Sequence, residues 1–241
     1  MNALATFSVS EHDGPPPSLR AERAGQEDAH LSGVIVRRLI GLDTVVISKT
    51  RPGFSRAAVE ACAAVVRECA RSSQVKFLVF DFAQTNEAGD GAGDGFGDLV
   101  SQVANLILLT PVVSIAIARG PMRAADLELA LACNIMISEE GASFRFDVDP
   151  LASVRTYAFL AQKIGFVRAE RLMENGQLLD PAGMQVLMLL KDILEPGATA
   201  KRLSEVMRKY LRRHNFFYGM HRAQRIAAPY IHQFDPPARF S

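Results

Sequence analysis

Ile115-Ala-Ile-Ala-Arg-Gly-Pro-Met-Arg-Ala-Ala-Asp-Leu-Glu-Leu-Ala-Leu-Ala-Cys-Asn134 is the stretch on which the fold turns. It reads as the end of a buried strand, a turn at Gly120, and an apolar helix over residues 124–133. Inside that helix, past the first-turn Asp126, the sequence sets one carboxylate, Glu128, in an Ala/Leu/Cys environment. Burying it ionised is costly, so its pKa should rise, and displaced carboxyl pKa values concentrate at functional sites.

Working upstream, Val34–Ile40 and Leu42–Ser48 are apolar runs flanking Gly41-Leu42-Asp43, the pattern of a hairpin. Arg51-Pro52-Gly53 stops the second run, and Ser55 is placed to cap a helix through Arg71. Val59, Cys62, Val66 and Cys69 share one face of it. Lys76–Ala83 is a near-continuous apolar run, which predicts a parallel strand covered on both faces. A glycine-rich loop over 84–97 and a helix from Asp98 to Leu109 follow, then strands over 112–117 and 134–138. Alternating strands and helices predict an α/β fold with a mostly parallel sheet. Beyond residue 150 the pattern is helical throughout, over 156–164, 167–175, 181–190 and 199–230. That half has no sheet of its own and must pack on the first half or on a neighbouring subunit.

Composition bounds the rest. With 241 residues the chain can bury a full core, and a formal net charge of +1 supplies no field for nucleic acid or a membrane surface. Three cysteines without a Cys-x-x-Cys pair read as small buried hydrophobes in a reducing, cytoplasmic setting. Residues 1–30 are polar with a Gly14-Pro-Pro-Pro17 run and read as a flexible tail, 31–195 as the α/β core, and 196–241 as a helical C-terminal region. Lys201, Arg202, Arg208, Lys209, Arg212 and Arg213 read as a solvated helix face, with contact to an anionic ligand as the other reading. His214 and His221, with Phe216, Phe217 and Tyr218 between them, read as packing rather than metal ligands. The aspartates of Ala88–Asp98 have neither EF-hand nor nonapeptide-repeat spacing, and the loop lacks a phosphate-binding Gly-Lys-Ser/Thr.

With Gly120 followed by Glu128-Leu-Ala130, Cys133 and Asn134 in register, the chain resembles the crotonase (enoyl-CoA hydratase/isomerase) superfamily. Arg51-Pro52, Gly97-Asp98-Leu99, Ser138–Phe144, Tyr157–Ile164 and Leu178–Gly183 fit the family's order over residues 34–230. Phe159–Ile164 is also similar to the bacterial diffusible-signal-factor synthases. The resemblance implies a crotonase-like (ββα)n spiral core and a C-terminal trimerisation region, with homotrimers or hexamers. It further implies an acyl-CoA or related acyl-thioester substrate of fatty acid metabolism, and neither metal nor redox cofactor. Its chemistry is an enolate held by two backbone N–H groups, which by register are those of Gly95 and Ala125. Glu128 takes the place of the first catalytic glutamate.

The family pattern is departed from at two points. The second glutamate falls on Val148, leaving Asp147 or Asp149 to reach in as a catalytic group or to serve only as turn residues. The family's Gly-Gly-Gly is Ala124-Ala125-Asp126, with Asp126 read as a first-turn acid that complements the helix dipole. One assured carboxylate suits isomerisation or thioester cleavage better than hydration. The competing reading is a crotonase-fold binding or assembly module without catalysis.

Overall fold

A computed structural model describes residues 26–227 apart from 40, 52, 83–94, 147–149 and 198–199. Its elements are β1 (Gln26–Leu31), β2 (Val34–Leu39), β3 (Thr44–Lys49), α1 (Arg56–Arg71), β4 (Phe77–Phe82), α2 (Phe96–Leu109) and β5 (Val113–Ala118). There follow β6 (Pro121–Met122), α3 (Ala124–Ala132), β7 (Ile135–Glu139), β8 (Ser143–Arg145), α4 (Pro150–Ile164) and α5 (Phe166–Glu174). The chain continues through β9 (Leu178–Leu179), α6 (Pro181–Val186), β10 (Asp192–Leu194), α7 (Ala200–Leu211) and α8 (His214–Ala227).

One sheet runs β1-β2-β3-β4-β5-β7-β10, and a small one runs β6-β8-β9. Pairing is antiparallel from β1 to β3 and parallel from β3 to β10. Side-chain alternation divides the main sheet between two cores. Leu78, Phe80, Phe82, Ala116, Ala118 and Met136 face a core closed by α1 to α6. Phe77, Val79, Val113, Ile115, Ile117, Ile135 and Ile137 face the other, closed by Val206, Met207 and Tyr210 of α7. Coverage on both faces is why β4 and β5 carry continuous apolar runs.

The hairpin, β4, β5, β7 and α1 lie where the sequence puts them. Ser55 caps α1 by accepting from the Ala58 N–H at 3.1 Å. The three cysteines are buried and free, and burial pushes their thiols up to about 12.

Five expectations need correction. The sheet begins at Gln26, inside the stretch read as a tail. β1 is a polar edge strand whose Asp28 sits opposite Arg37 of β2 and accepts from it at 2.9 Å, so no apolar period marks it. Helix α2 starts at Phe96 rather than Asp98, and α4 at Pro150 rather than Thr156. The region past residue 150 is not wholly helical: α6 stops at Val186, β9 joins the small sheet and β10 extends the main one beside β7. The final helical stretch breaks after Leu211 into α7 and α8.

Helix α8 is fastened through His221, which is 1% exposed. The Asn134 side-chain oxygen accepts from both the N–H and the hydroxyl of Ser114, each at 2.9 Å. The Asn134 amide nitrogen is therefore the donor to His221 Nδ1, at 2.6 Å, and His221 Nε2–H donates to the Thr110 carbonyl at 2.6 Å. The packing reading of His221 holds. Lys209, one of the basic C-terminal residues, donates to Asp192 of β10 at 3.1 Å, and Tyr210 donates to the same carboxylate at 2.7 Å.

Candidate active site

Helices α2 and α3 are crossover connections between adjacent parallel strands, β4 to β5 and β5 to β7. Both must run antiparallel to the sheet, so both begin at its carboxyl edge, the side on which open α/β sheets take their ligands. Gly95 stands at the start of α2 and Ala125 in the first turn of α3. Gly95 has φ 75, a left-handed conformation that suits glycine, and a Cβ there would lie 3.7 Å from Arg56.

The turn into α3 keeps a glycine-like backbone without a glycine. Ala124 has φ 46. A left-handed alanine costs about 1–2 kcal/mol, against roughly 0.5–1 kcal/mol for the extra freedom of an unfolded glycine. Ala124→Gly is therefore expected to stabilise the protein by roughly 0.5 kcal/mol, raising the thermal midpoint by about 1–2 °C in a calorimetric scan. A lower midpoint would mean that the methyl group makes a contact worth more than the strain.

Helix α3 is buried from Ala125 to Ala132. Glu128 is 6% exposed, and the Ser101 hydroxyl of α2 donates to its Oε1 at 3.0 Å. Burial lifts its pKa from the ordinary 4.5 to about 7, opposed by the Ser101 hydrogen bond and by the charge of Arg155. Arg155 of α4 also donates to the Ser101 carbonyl at 3.1 Å. The rise expected from the sequence is present. A carboxyl poised near neutrality can both take and return a proton.

Asp126 is not simply a first-turn acid. It is 3% exposed and held by Lys49 of β3, whose ammonium donates to its two oxygens at 2.6 and 2.8 Å. The same ammonium lies 4.7 Å from the centre of the Phe54 ring. Asp126 is thus neutralised at the start of α3, and its charge no longer opposes an anion forming there.

Of the residues singled out from sequence, Glu128 and Ala125 share α3, and Gly95 begins the helix packed against it. Asp147 and Asp149 lie outside the described residues. Lys49, Ser101 and Arg155 were not foreseen: their partners stand 77, 27 and 54 residues away in sequence, and no local pattern marks them. Arg119, inside the opening segment, binds Asp81 at 2.7 Å and also pairs with Glu139, tying together the carboxyl ends of β4, β5 and β7. By strand alternation this group lies on the sheet face opposite Glu128. Among the described residues no helix is long and apolar enough to cross a membrane.

No family model matches the chain, and no curated protein matches its sequence. Solved structures do match. An enoyl-CoA hydratase from Geobacillus kaustophilus is 17% identical with a TM-score of 0.70, over 82% of this chain and 83% of that one. An enoyl-CoA hydratase from Mycobacterium avium subsp. paratuberculosis is 16% identical with a TM-score of 0.67, over 81% and 87%. An enoyl-CoA hydratase/isomerase from Marinobacter aquaeolei is 18% identical with a TM-score of 0.64, over 86% and 85%. The chain has the crotonase fold of these proteins.

Proposed function

We propose that the protein is an enoyl-CoA hydratase/isomerase-type enzyme acting on an acyl-CoA or related acyl thioester. The observation that carries this reading is Glu128, buried beside Ser101 in the helix that starts with Ala125 and titrating near 7. In the proposed reaction the backbone N–H groups of Gly95 and Ala125 hold the thioester oxygen as an enolate forms. Glu128 removes a proton from a carbon next to the polarised system, and the C–H electron pair enters the enolate. The same carboxyl then delivers its proton to another carbon of the conjugated system, moving the double bond and restoring the carboxylate. One acid/base group suffices for this isomerisation, and the step draws on no metal or redox cofactor. A homotrimer or hexamer is part of the same proposal.

The rival reading, a binding or assembly module without catalysis, rests on the altered glycines of Ala124–Asp126 and on Val148 standing in place of the second glutamate. Against the first of these, Ala124 retains a left-handed backbone and Lys49 compensates Asp126; the second still favours the rival.

The test is a thermal-shift and turnover screen over acyl-CoA thioesters, with exchange of substrate carbon-bound protons for solvent deuterium as the readout of enolate formation. Wild type is expected to bind a thioester and exchange. Glu128→Gln is expected to bind it and exchange about 10²–10⁴ times more slowly. Absence of any thioester binding, or exchange in the variant equal to wild type, defeats the enzymatic reading.

A further inference from the structure

Three helices meet at one residue. Ser101, on α2 and 8% exposed, gives its hydroxyl proton to Glu128 Oε1 of α3 and accepts at its own carbonyl from the Arg155 guanidinium of α4. A serine hydroxyl has a single proton to give, so the bond at 3.0 Å commits it to one carboxyl oxygen. Oε2 is left to carry the exchangeable proton. Arg155 spends a donor on a carbonyl rather than a carboxylate, so its full positive charge acts on Glu128 through space.

We propose that Ser101 and Arg155 are the positioning residues of Glu128. Ser101 reserves Oε1 and aims Oε2, and Arg155 fixes the α2 backbone that presents the hydroxyl while biasing the carboxyl toward its ionised form. The catalytic part of this inference rests on the proposed role of Glu128 as the acid/base.

The surroundings single out these two groups among the described residues. Strand β5, Val113–Ala118, packs on α3 and carries no ionisable side chain. On α4, Lys163 is taken up by the Cys133 carbonyl, at 3.0 Å, at the far end of α3. Asp98 of α2 is exposed, in the first turn of that helix. On α3 itself Asp126 is ion-paired to Lys49.

The test titrates the Glu128 carboxyl by infrared difference spectroscopy or carbon-13 carboxyl NMR, with Glu128→Gln as the blank. Ser101→Ala is expected to move the midpoint upward by about one pH unit, since the bond it removes favours the ionised form. Ser101→Thr, which keeps the hydroxyl, should leave the midpoint in place. Arg155→Met should raise it and Arg155→Lys should restore part of the shift. In the exchange assay, Ser101→Ala should lose about fivefold in kcat at pH 7, recover it near pH 9, and keep its KM. General damage to the fold would lower kcat at every pH. Unmoved midpoints in Ser101→Ala and Arg155→Met overturn the inference, even if the wild type turns over thioesters. Shifted midpoints in a protein that binds no thioester uphold the positioning of Glu128 and overturn the enzymatic reading alone.

Discussion

Lys49→Met is expected to destabilise the protein by about 3–5 kcal/mol, the usual cost of breaking a buried ion pair from one side. The two side chains are 3% and 5% exposed, so the orphaned Asp126 carboxylate could not rehydrate without opening the joint between β3 and α3. The loss of the cation over Phe54 adds to the same side. Lys49→Met combined with Asp126→Leu should recover most of the loss, because apolar groups of similar volume replace a buried pair at little or no net cost. Urea unfolding of wild type, the single variant and the double variant measures this directly. If the double variant is no better than the single one, the lost stability comes from packing around the lysine stem and not from the stranded charge.

Glu128→Gln should make the protein more stable as the pH rises, while removing the proposed chemistry. The Glu128 pKa is raised on folding, so the native state holds its proton more tightly than the unfolded chain does. The stability this confers is fully present below about pH 4.5 and is lost as pH rises through about 7. The pH-dependent advantage of Glu128→Gln over wild type is accordingly under about 1 kcal/mol at pH 5 and about 3 kcal/mol at pH 8. Denaturation of both proteins at these two pH values gives the difference, and other titrating groups cancel between them. A difference that does not change with pH would show that the carboxyl is not displaced. The activity proposed for Glu128 would thus be obtained against stability.

These residues also show where sequence reading succeeds. Val59, Cys62, Val66 and Cys69, or Phe77 to Phe82, announce their elements because burial is periodic along a helix or continuous in a covered strand. β1 announces nothing, since Gln26–Leu31 is an edge strand held by ladder bonds and a surface ion pair. β10 is three residues long, and its apolar neighbours Leu187, Leu189 and Leu190 continue the rhythm of α6. Glu128 was legible because an acid past the first turn of an otherwise apolar helix is anomalous on its face. Its partners were not, because Ser101 and Arg155 are ordinary residues until three helices bring them together.

The bonds from His221 to Asn134 and Thr110 span 87 and 111 residues of chain. Contacts of such length are the slow ones to form, since each closes a long loop before it returns any stabilisation. They also impose an order on synthesis. Thr110 and Asn134 leave the ribosome long before α8 exists, so the sheet face that α7 and α8 close must wait uncovered until those two helices are made. The Glu128 side of the sheet, built from α1 to α6, can be assembled while translation continues, and α7 and α8 then seal the opposite face.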